Sequence, residues 1–349
     1  MHGEYQPHGG KLVAADVEVT GGRLARVQVS GDFVPGAAGA LGRIGTAVTG
    51  LPVTADTAVI TAGIQAALGG GVLPAGICPS AVAVAVRRAV LGASDWRDHD
   101  WQLVHEGPQE PALHMAIDEV LLREVAAGRR PATLRIWEWS APAVVIGSFQ
   151  SLRNEVDVGQ ARRLGITVVR RISGGGAMFI EPENTITYSL YAPESLVAGL
   201  SFADSYAFLD DWVIAALTGD LGLAAWYQPL NDIASSQGKI GGAAQKRLAS
   251  AVLHHVTMAY DMDAQKLTRV LRTGREKLSG KGIPSAIKRV DPLRRQTRLT
   301  REQVIGAMTG CFRRRHGLTD GGLAPAELRA AGELARAKFT SGEWTARLP

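Results

Sequence analysis

Residues 170–179, Arg170-Arg171-Ile172-Ser173-Gly174-Gly175-Gly176-Ala177-Met178-Phe179, decide how this chain is read. Ahead of them runs Ile166-Thr167-Val168-Val169, a β-branched stretch that predicts a strand. Behind them Asn184-Thr185-Ile186-Thr187-Tyr188-Ser189-Leu190 alternates and predicts a second. The three glycines give the intervening loop access to positive φ and let backbone come close to a ligand. Successive N–H groups in such a turn can form an anion-binding concavity, and the two arginines add fixed positive charge beside it. Taken alone, the stretch reads equally as a tight hairpin with surface arginines. It is neither a Walker loop, lacking Gly-Lys-Ser/Thr, nor a dinucleotide fingerprint.

The surrounding chain has 349 residues, which suggests two domains, and 46% of them are hydrophobic, enough for sizeable cores. A net charge of +5 suits a site that attracts phosphates or an acidic protein. Nothing resembles a nucleic-acid-reading motif, so no nucleic-acid partner is expected. The two cysteines, Cys78 and Cys311, build neither a disulfide framework nor a zinc site and fit a reducing compartment. Met1–Pro7 has no apolar signal core, and the apolar runs are too short or too interrupted to span a bilayer. A cytoplasmic protein without membrane partners is the expectation.

Upstream, residues 9–33 predict a hairpin. Val17 and Val19 alternate with Asp16 and Glu18, and Val27 and Val29 repeat the pattern after Gly21-Gly22. Helices are predicted within residues 36–71, including 54–69, and over 80–91, with Gly92 as the stop. By themselves these residues read as a small α+β module without chemistry. The polar run 93–100 breaks the periodicity, which places residues 1–92 in one domain, a linker at 93–100, and residues 101–349 in the other. In the second part, Leu113, Ile117, Val120/Leu121 and Val125 mark a helix ending at Gly128, with His114 as a capping or surface residue. Trp137 and Trp139 read as core or rim. Helices follow at 154–164, 201–217, 263–271 and 300–316, the last N-capped by Thr300 with Gln303, and strands at 231–234, 238–245 and 251–260. Residues 325–339 predict an amphipathic tail helix.

The order Arg-Arg-Ile-Ser-Gly-Gly-Gly-Ala, then Asn184 and a Tyr-Ser strand end, resembles the signature loop of the lipoate–protein ligase family. Asn231-Asp232-Ile233 with Gly238-Lys239-Ile240-Gly241-Gly242-Ala243, and His254-His255-Val256-Thr257, match further motifs in the family's order. His114-Met115-Ala116-Ile117-Asp118-Glu119 resembles its Asn-Met-Ala-Leu-Asp-Glu, and Lys277–Ser285 its Lys-Gly-Ile-x-Ser segment. Residues 9–33 resemble the family's small accessory domain, here placed first. The resemblance implies an α+β fold: a biotin/lipoate ligase-like mixed sheet flanked by helices, related to class II aminoacyl-tRNA synthetases, plus the accessory domain. It implies that Arg171, Gly174, Gly175, Gly176, Ala177, Met178, Phe179, Asn184, Asp232, Lys239, Gly242 and His255 line an ATP and lipoyl-adenylate site, with Lys239 catalytic. Departures stand at Ile180–Glu183, at Gly241 and Ala243 where the family has serines, and at Val256 where it has glycine.

The implied activity is ATP-dependent lipoate–protein ligation. Lipoate, or octanoate, is activated as acyl-AMP and passed to a lysine of an acceptor. That acceptor would be a 2-oxoacid dehydrogenase E2, a glycine-cleavage H-like protein or a lipoate-binding protein of sulfur oxidation. Such chemistry puts a carboxylate beside three phosphates, so Arg171, Lys239, Mg²⁺ and the loop N–H groups would neutralise charge. Asp232 is the metal candidate, because Mg²⁺ takes one or two carboxylates plus phosphates. His255 reads equally as a satisfied structural histidine. The alternatives are a lipoyl or octanoyl transferase on the same fold, whose resemblance implies a cysteine thioester, and a non-catalytic lipoate-binding protein.

Overall fold

The computed structural model describes residues 1–7, 9–33, 38–69, 78–262, 264–272 and 290–348. The segment Lys277–Ser285 lies outside these. The chain divides into two compact units, residues 1–98 with 194–209 and residues 99–193 with 210–349.

In the first unit, β1 (His2–Tyr5), β2 (Val13–Thr20) and β3 (Arg23–Gly31) form an antiparallel sheet in that order. The β2–β3 turn places Gly21 and Gly22 at φ 57° and 73°, the left-handed values a two-residue hairpin demands. Val13, Val17, Leu24, Val27 and Val29 are buried, and helices Ala38–Val48, Thr57–Ala67 and Pro79–Leu91 belong to the same unit. Two features depart from the linker expectation. The run 93–100 contains a 3₁₀ turn, Trp96–Asp98, with Trp96 buried. Residues 194–209 also join this unit, because Arg88 collects their carbonyls. Its guanidinium donates to Leu196 O and Ala198 O at 3.1 Å each, and to Ser94 O at 2.8 Å. A buried guanidinium has five donors to satisfy, and loop carbonyls supply the acceptors.

The second unit contains β4 (Gln102–His105), β5 (Thr133–Trp137), β6 (Ala143–Ile146), β7 (Thr167–Arg170), β8 (Met178–Ile180), β9 (Thr185–Pro193), β10 (Ala225–Gln228), β11 (Asp232–Ser235), β12 (Gly238–Arg247), β13 (Ala251–Ala259) and β14 (Thr319–Asp320). Eight of them make a mixed sheet in the order β10-β11-β12-β13-β9-β5-β4-β14, and the other three a small sheet β7-β6-β8. The strands flanking the glycine loop are therefore not a hairpin pair. Met178–Ile180 forms a third strand against β6, and a turn with Glu183 at φ 64° carries the chain into the large sheet. The helix expected over 154–164 is broken at Val156 into Leu152–Glu155 and Val158–Arg163, the second capped by Asp157. Thr300 and Gln303 form the capping box of helix Arg301–His316.

Register across the large sheet lines up two rows on one face. One row runs Asp232, Gly242, Thr257, Thr187 and Trp137; the other runs Ala244, His255, Ser189 and Arg135. Alternate residues of a strand share a face, so both rows look the same way. Helix Pro111–Ala126 covers part of that face, burying Met115, Ile117, Leu121 and Val125 with Trp137, Tyr191 and Leu253.

Candidate active site

The face just described carries a cation. Lys239 Nζ stands 2.7 Å from Asp232 Oδ1, with the carboxylate nearly buried and the lysine about one-third exposed. A hairpin between β11 and β12 brings the two together, and a register shift between Ile233 and Ala234 pairs Ala234 with Lys239. The ammonium folds back over Gly242, where a β-carbon would lie 2.6 Å from Nζ. Beyond Lys239 the chain is anchored by Asp291 N–H donating to Lys239 O at 2.9 Å.

The glycine loop lies over the same strand. A β-carbon at Gly175 would sit 3.6 Å from Ala244 Cβ, and Ala244 follows Gly242 by two positions on that face. The structure thus brings together Lys239, Asp232, Gly242 and the loop. Gly175 has φ 88°, which an L side chain would strain.

Arg171 does not project into this space. It is buried, and its Nη2 donates to Gly174 O at 2.5 Å and Gly176 O at 2.8 Å, while Nη1 reaches Val145 O at 3.2 Å. The guanidinium is held against the loop's own carbonyls. In a trans peptide, C=O and the following N–H point in opposite directions. Drawing the carbonyls of Gly174 and Gly176 inward therefore turns the N–H groups of Gly175 and Ala177 away from Arg171, at a loop whose Gly175 and Gly176 are exposed. The arginine lies on the carbonyl side of the loop.

Arg170 is also internal. Its guanidinium donates to Gly147 O, Gln150 O and Thr345 O at 2.9, 2.6 and 2.7 Å, stitching the loop after β6 to the chain's C-terminal segment. The Phe179 side chain belongs to the core, buried among Val144, Ile146 and Val156, which leaves its backbone as the part the expectation concerned. Met178 is half-buried on the short strand β8. Asn184 stands at the turn into β9, where its carbonyl accepts from Tyr260 N–H at 2.9 Å and Asp261 N–H at 3.0 Å, closing the end of the β9–β13 ladder.

His255 is buried beneath the loop. Its Nε2 is 2.7 Å from Ser173 Oγ and its Nδ1 is 2.8 Å from Asp118 Oδ2. Burial holds this histidine below its ordinary value, with the Arg171 charge acting in the same sense and Asp118 opposing. Asp118 Oδ1 also accepts from Ser189 Oγ at 3.1 Å and from the Tyr191 hydroxyl. Ser173, Asp118, Ser189 and Tyr191 were not among the expected site residues. The signal available was the His-Met-Ala-Ile-Asp-Glu motif. His114, expected at the surface, is fully buried and stacked on Trp137, ring centroids 4.8 Å apart.

Among the described residues no group of three or more His, Cys, Asp or Glu side chains is placed to hold a metal ion. Asp232, the expected metal candidate, is paired with Lys239. Mg²⁺ keeps near-octahedral oxygen geometry, and here most of those oxygens would have to come from substrate phosphates and water. No helix of the described residues is long and apolar enough to cross a membrane.

A mixed sheet flanked by helices, with an outward N–H loop and a lysine on one face, is the architecture of a lipoate ligase-like enzyme. The sequence profile of the lipoyl protein ligase A/B catalytic domain matches residues 110–313, more than half of the chain, and the protein belongs to that family. Among curated relatives, octanoyltransferase LipM of Moorella thermoacetica is 29% identical over 279 residues, covering 71% of this chain and 98% of the relative. The archaeal bi-partite lipoate protein ligase of Thermoplasma acidophilum, described with its E2 lipoyl domain, superposes with a TM-score of 0.58 at 25% identity, covering 72% of this chain and 97% of that one. A lipoate-protein ligase A bound with ATP shares the fold, with a TM-score of 0.61 at 23% identity over 72% of this chain and all of that one.

Proposed function

We propose that this protein acylates a lysine on a lipoyl domain with an octanoyl or lipoyl group taken from an already activated donor. The relatives named octanoyltransferase favour this reading over ATP-dependent ligation. The observation that carries it is that the Lys239 ammonium over Gly242 and the glycine loop over Ala244 lie along one face of β12, with the N–H groups of Gly175 and Ala177 turned away from Arg171. In the transfer, the acceptor amine forms a C–N bond to the acyl carbon, the bond to the donor's leaving group breaks, and the amine loses a proton. Negative charge grows first on the carbonyl oxygen and then on the leaving group. A fixed ammonium and preorganised N–H donors stabilise both.

One observation favours the ATP-dependent ligase as a second reading. Cys311 cannot serve as a thioester nucleophile, because it is buried with its Sγ 3.6 Å from Trp212 O and burial pushes its thiol up. Cys78 belongs to the other unit. A donor acylated on AMP needs no enzyme thiol, and Lys239 with the loop suits an adenylate phosphate. Under this reading residues 1–92 would act as the accessory domain of adenylation.

Intact-mass analysis of a lipoyl domain separates the two. Acylation from an octanoyl thioester carrier protein without ATP supports transfer. Acylation only with free lipoate or octanoate plus ATP supports ligation. An unmodified domain under both conditions sinks both.

A further inference from the structure

Asp118, His255, Ser173 and Arg171 form a buried hydrogen-bonded chain leading from helix Pro111–Ala126 to the glycine loop. The direction of each bond follows from what each group can donate. A carboxylate only accepts, so His255 Nδ1 carries the proton donated to Asp118 Oδ2 at 2.8 Å. In the neutral ring Nε2 is then an acceptor, and the Ser173 hydroxyl must donate to it at 2.7 Å. With its proton committed, Ser173 Oγ presents lone pairs to Arg171 Nε, which donates to it at 3.0 Å. The same guanidinium holds the carbonyls of Gly174 and Gly176.

We propose that Asp118 is a positioning residue for the loop: by fixing the tautomer of His255 it makes Ser173 a donor there and an acceptor toward Arg171. It acts without touching the reactants. This rests on the loop being part of the acyl-transfer site, as argued above.

The neighbours of Asp118 make the idea testable by a nearly isosteric change. Ser189 and Tyr191 both donate to Oδ1. In Asp118→Asn those two hydroxyls select the amide oxygen for that side. The amide nitrogen then faces His255 Nδ1 and donates to it. Nδ1 becomes the acceptor, the ring proton moves to Nε2, and Nε2–H donates to Ser173. Ser173 Oγ must now accept from both His255 and Arg171, and its own proton loses its acceptor. The Arg171–Ser173 bond weakens and the loop loses its fixed shape.

The experiment is ¹⁵N–¹H NMR of the full chain with labelled histidine and backbone. The expected result is an Nδ1–H tautomer at His255 in the wild type and Nε2–H in Asp118→Asn, with the Gly175 and Ala177 amide signals shifted or broadened. Acyl transfer to a lipoyl domain should fall by roughly 10–100-fold, the range seen when a group that orients a working side chain is removed. Ser173→Ala should perturb the same two amides and the rate while leaving His255 as Nδ1–H. Combined with Asp118→Asn it should add little, since both break one link. An Nε2–H tautomer in the wild type overturns the proposal, as does a flipped tautomer in Asp118→Asn with unchanged loop amides. If the wild type transfers no acyl group, the functional reading fails, yet the tautomer and loop signals still decide the role of Asp118. Should Asp118→Asn not fold, Ser173→Ala decides: unchanged Gly175 and Ala177 amides would sink the proposal, and changed ones with an Nδ1–H ring would uphold it.

Discussion

The ammonium of Lys239 occupies the space that a side chain on Gly242 would need. A β-carbon there would lie 2.6 Å from Nζ, 2.9 Å from Cε and 3.4 Å from Asp232 Oδ1. Gly242→Ala therefore displaces the lysine head from Asp232 without pressing on backbone. The far end of a lysine swings away at little cost, so the fold should survive with a melting temperature within a few degrees of wild type. Acyl transfer should drop by on the order of 10²–10³, the usual loss when one preorganised charge-stabilising donor is removed. A Gly242→Ala enzyme transferring at the wild-type rate would mean that the ammonium's position is irrelevant to the chemistry.

Removing the charge and removing its anchor should differ. Lys239→Ala deletes the ammonium and should cost the same order, 10²–10³, in rate. Asp232→Asn keeps the ammonium but loosens its hold, so its loss should be smaller and appear in kcat more than in KM. Steady-state kinetics with a lipoyl domain as acceptor reads both. Equal losses would indicate that Asp232 has a role of its own beyond holding Lys239.

Much of this site was legible because its parts are local in sequence. Asp232 and Lys239 belong to one hairpin, and the glycine loop is a single run. Asp118 was not legible as a hub, because its partners Ser189 and His255 lie 71 and 137 residues away, and only the sheet register brings them to one face. Arg171 read as a ligand-facing charge, since sequence cannot show that the loop carbonyls turn toward it. The flanking strands read as a hairpin pair for a similar reason. The three-residue strand Met178–Ile180 is too short to stand out, yet it moves the chain from the small sheet to the large one. The local cap of Thr300 and the stop at Gly92, with φ 60°, needed no such distant information.

Cysteine chemistry gives a third test. Cys78→Ala combined with Cys311→Ala should retain acylation of the lipoyl domain, because Cys311 is buried in helix Arg301–His316 with its thiol pushed up by burial, and the Lys239 ammonium with the loop N–H groups needs no enzyme thiol. The buried Cys311 change removes only a small group, so any loss should be one of stability, on the order of 1 kcal/mol. An acyl-cysteine adduct by mass spectrometry, or a folded double variant without turnover, would establish a thioester route instead.

Stability should fall on the acid side, and His114 sets part of the slope. Its Nε2–H donates to Glu138 O at 2.8 Å, and its Nδ1 accepts from Arg135 Nη2 at 2.6 Å. Trp137 and Trp139 enclose the ring at 4.8 and 4.5 Å. Burial first, and then the Arg135 charge, hold His114 well below its ordinary value of 6.5, and no carboxylate faces it closely enough to compensate. In the unfolded chain the same ring titrates near its ordinary value. Below about pH 6.5 the unfolded state therefore binds a proton that the folded state refuses, and unfolding becomes easier as pH drops. Above that pH the two states carry the same charge here and the contribution is flat. The slope is about 1.4 kcal/mol per pH unit for one such histidine. His255 adds in the same direction, because its folded value is also depressed. Urea unfolding between about pH 5 and pH 7.5 should show stability rising with pH to a plateau. His114→Gln cannot titrate, so it should be less stable on the plateau, having lost the stacked ring, but should decline less steeply below it by close to one proton's worth. Parallel slopes in the variant and wild type, or a His114 resonance that titrates near 6.5 in the folded protein, would show that the ring takes up a proton without unfolding and that the Arg135 contact does not exclude it.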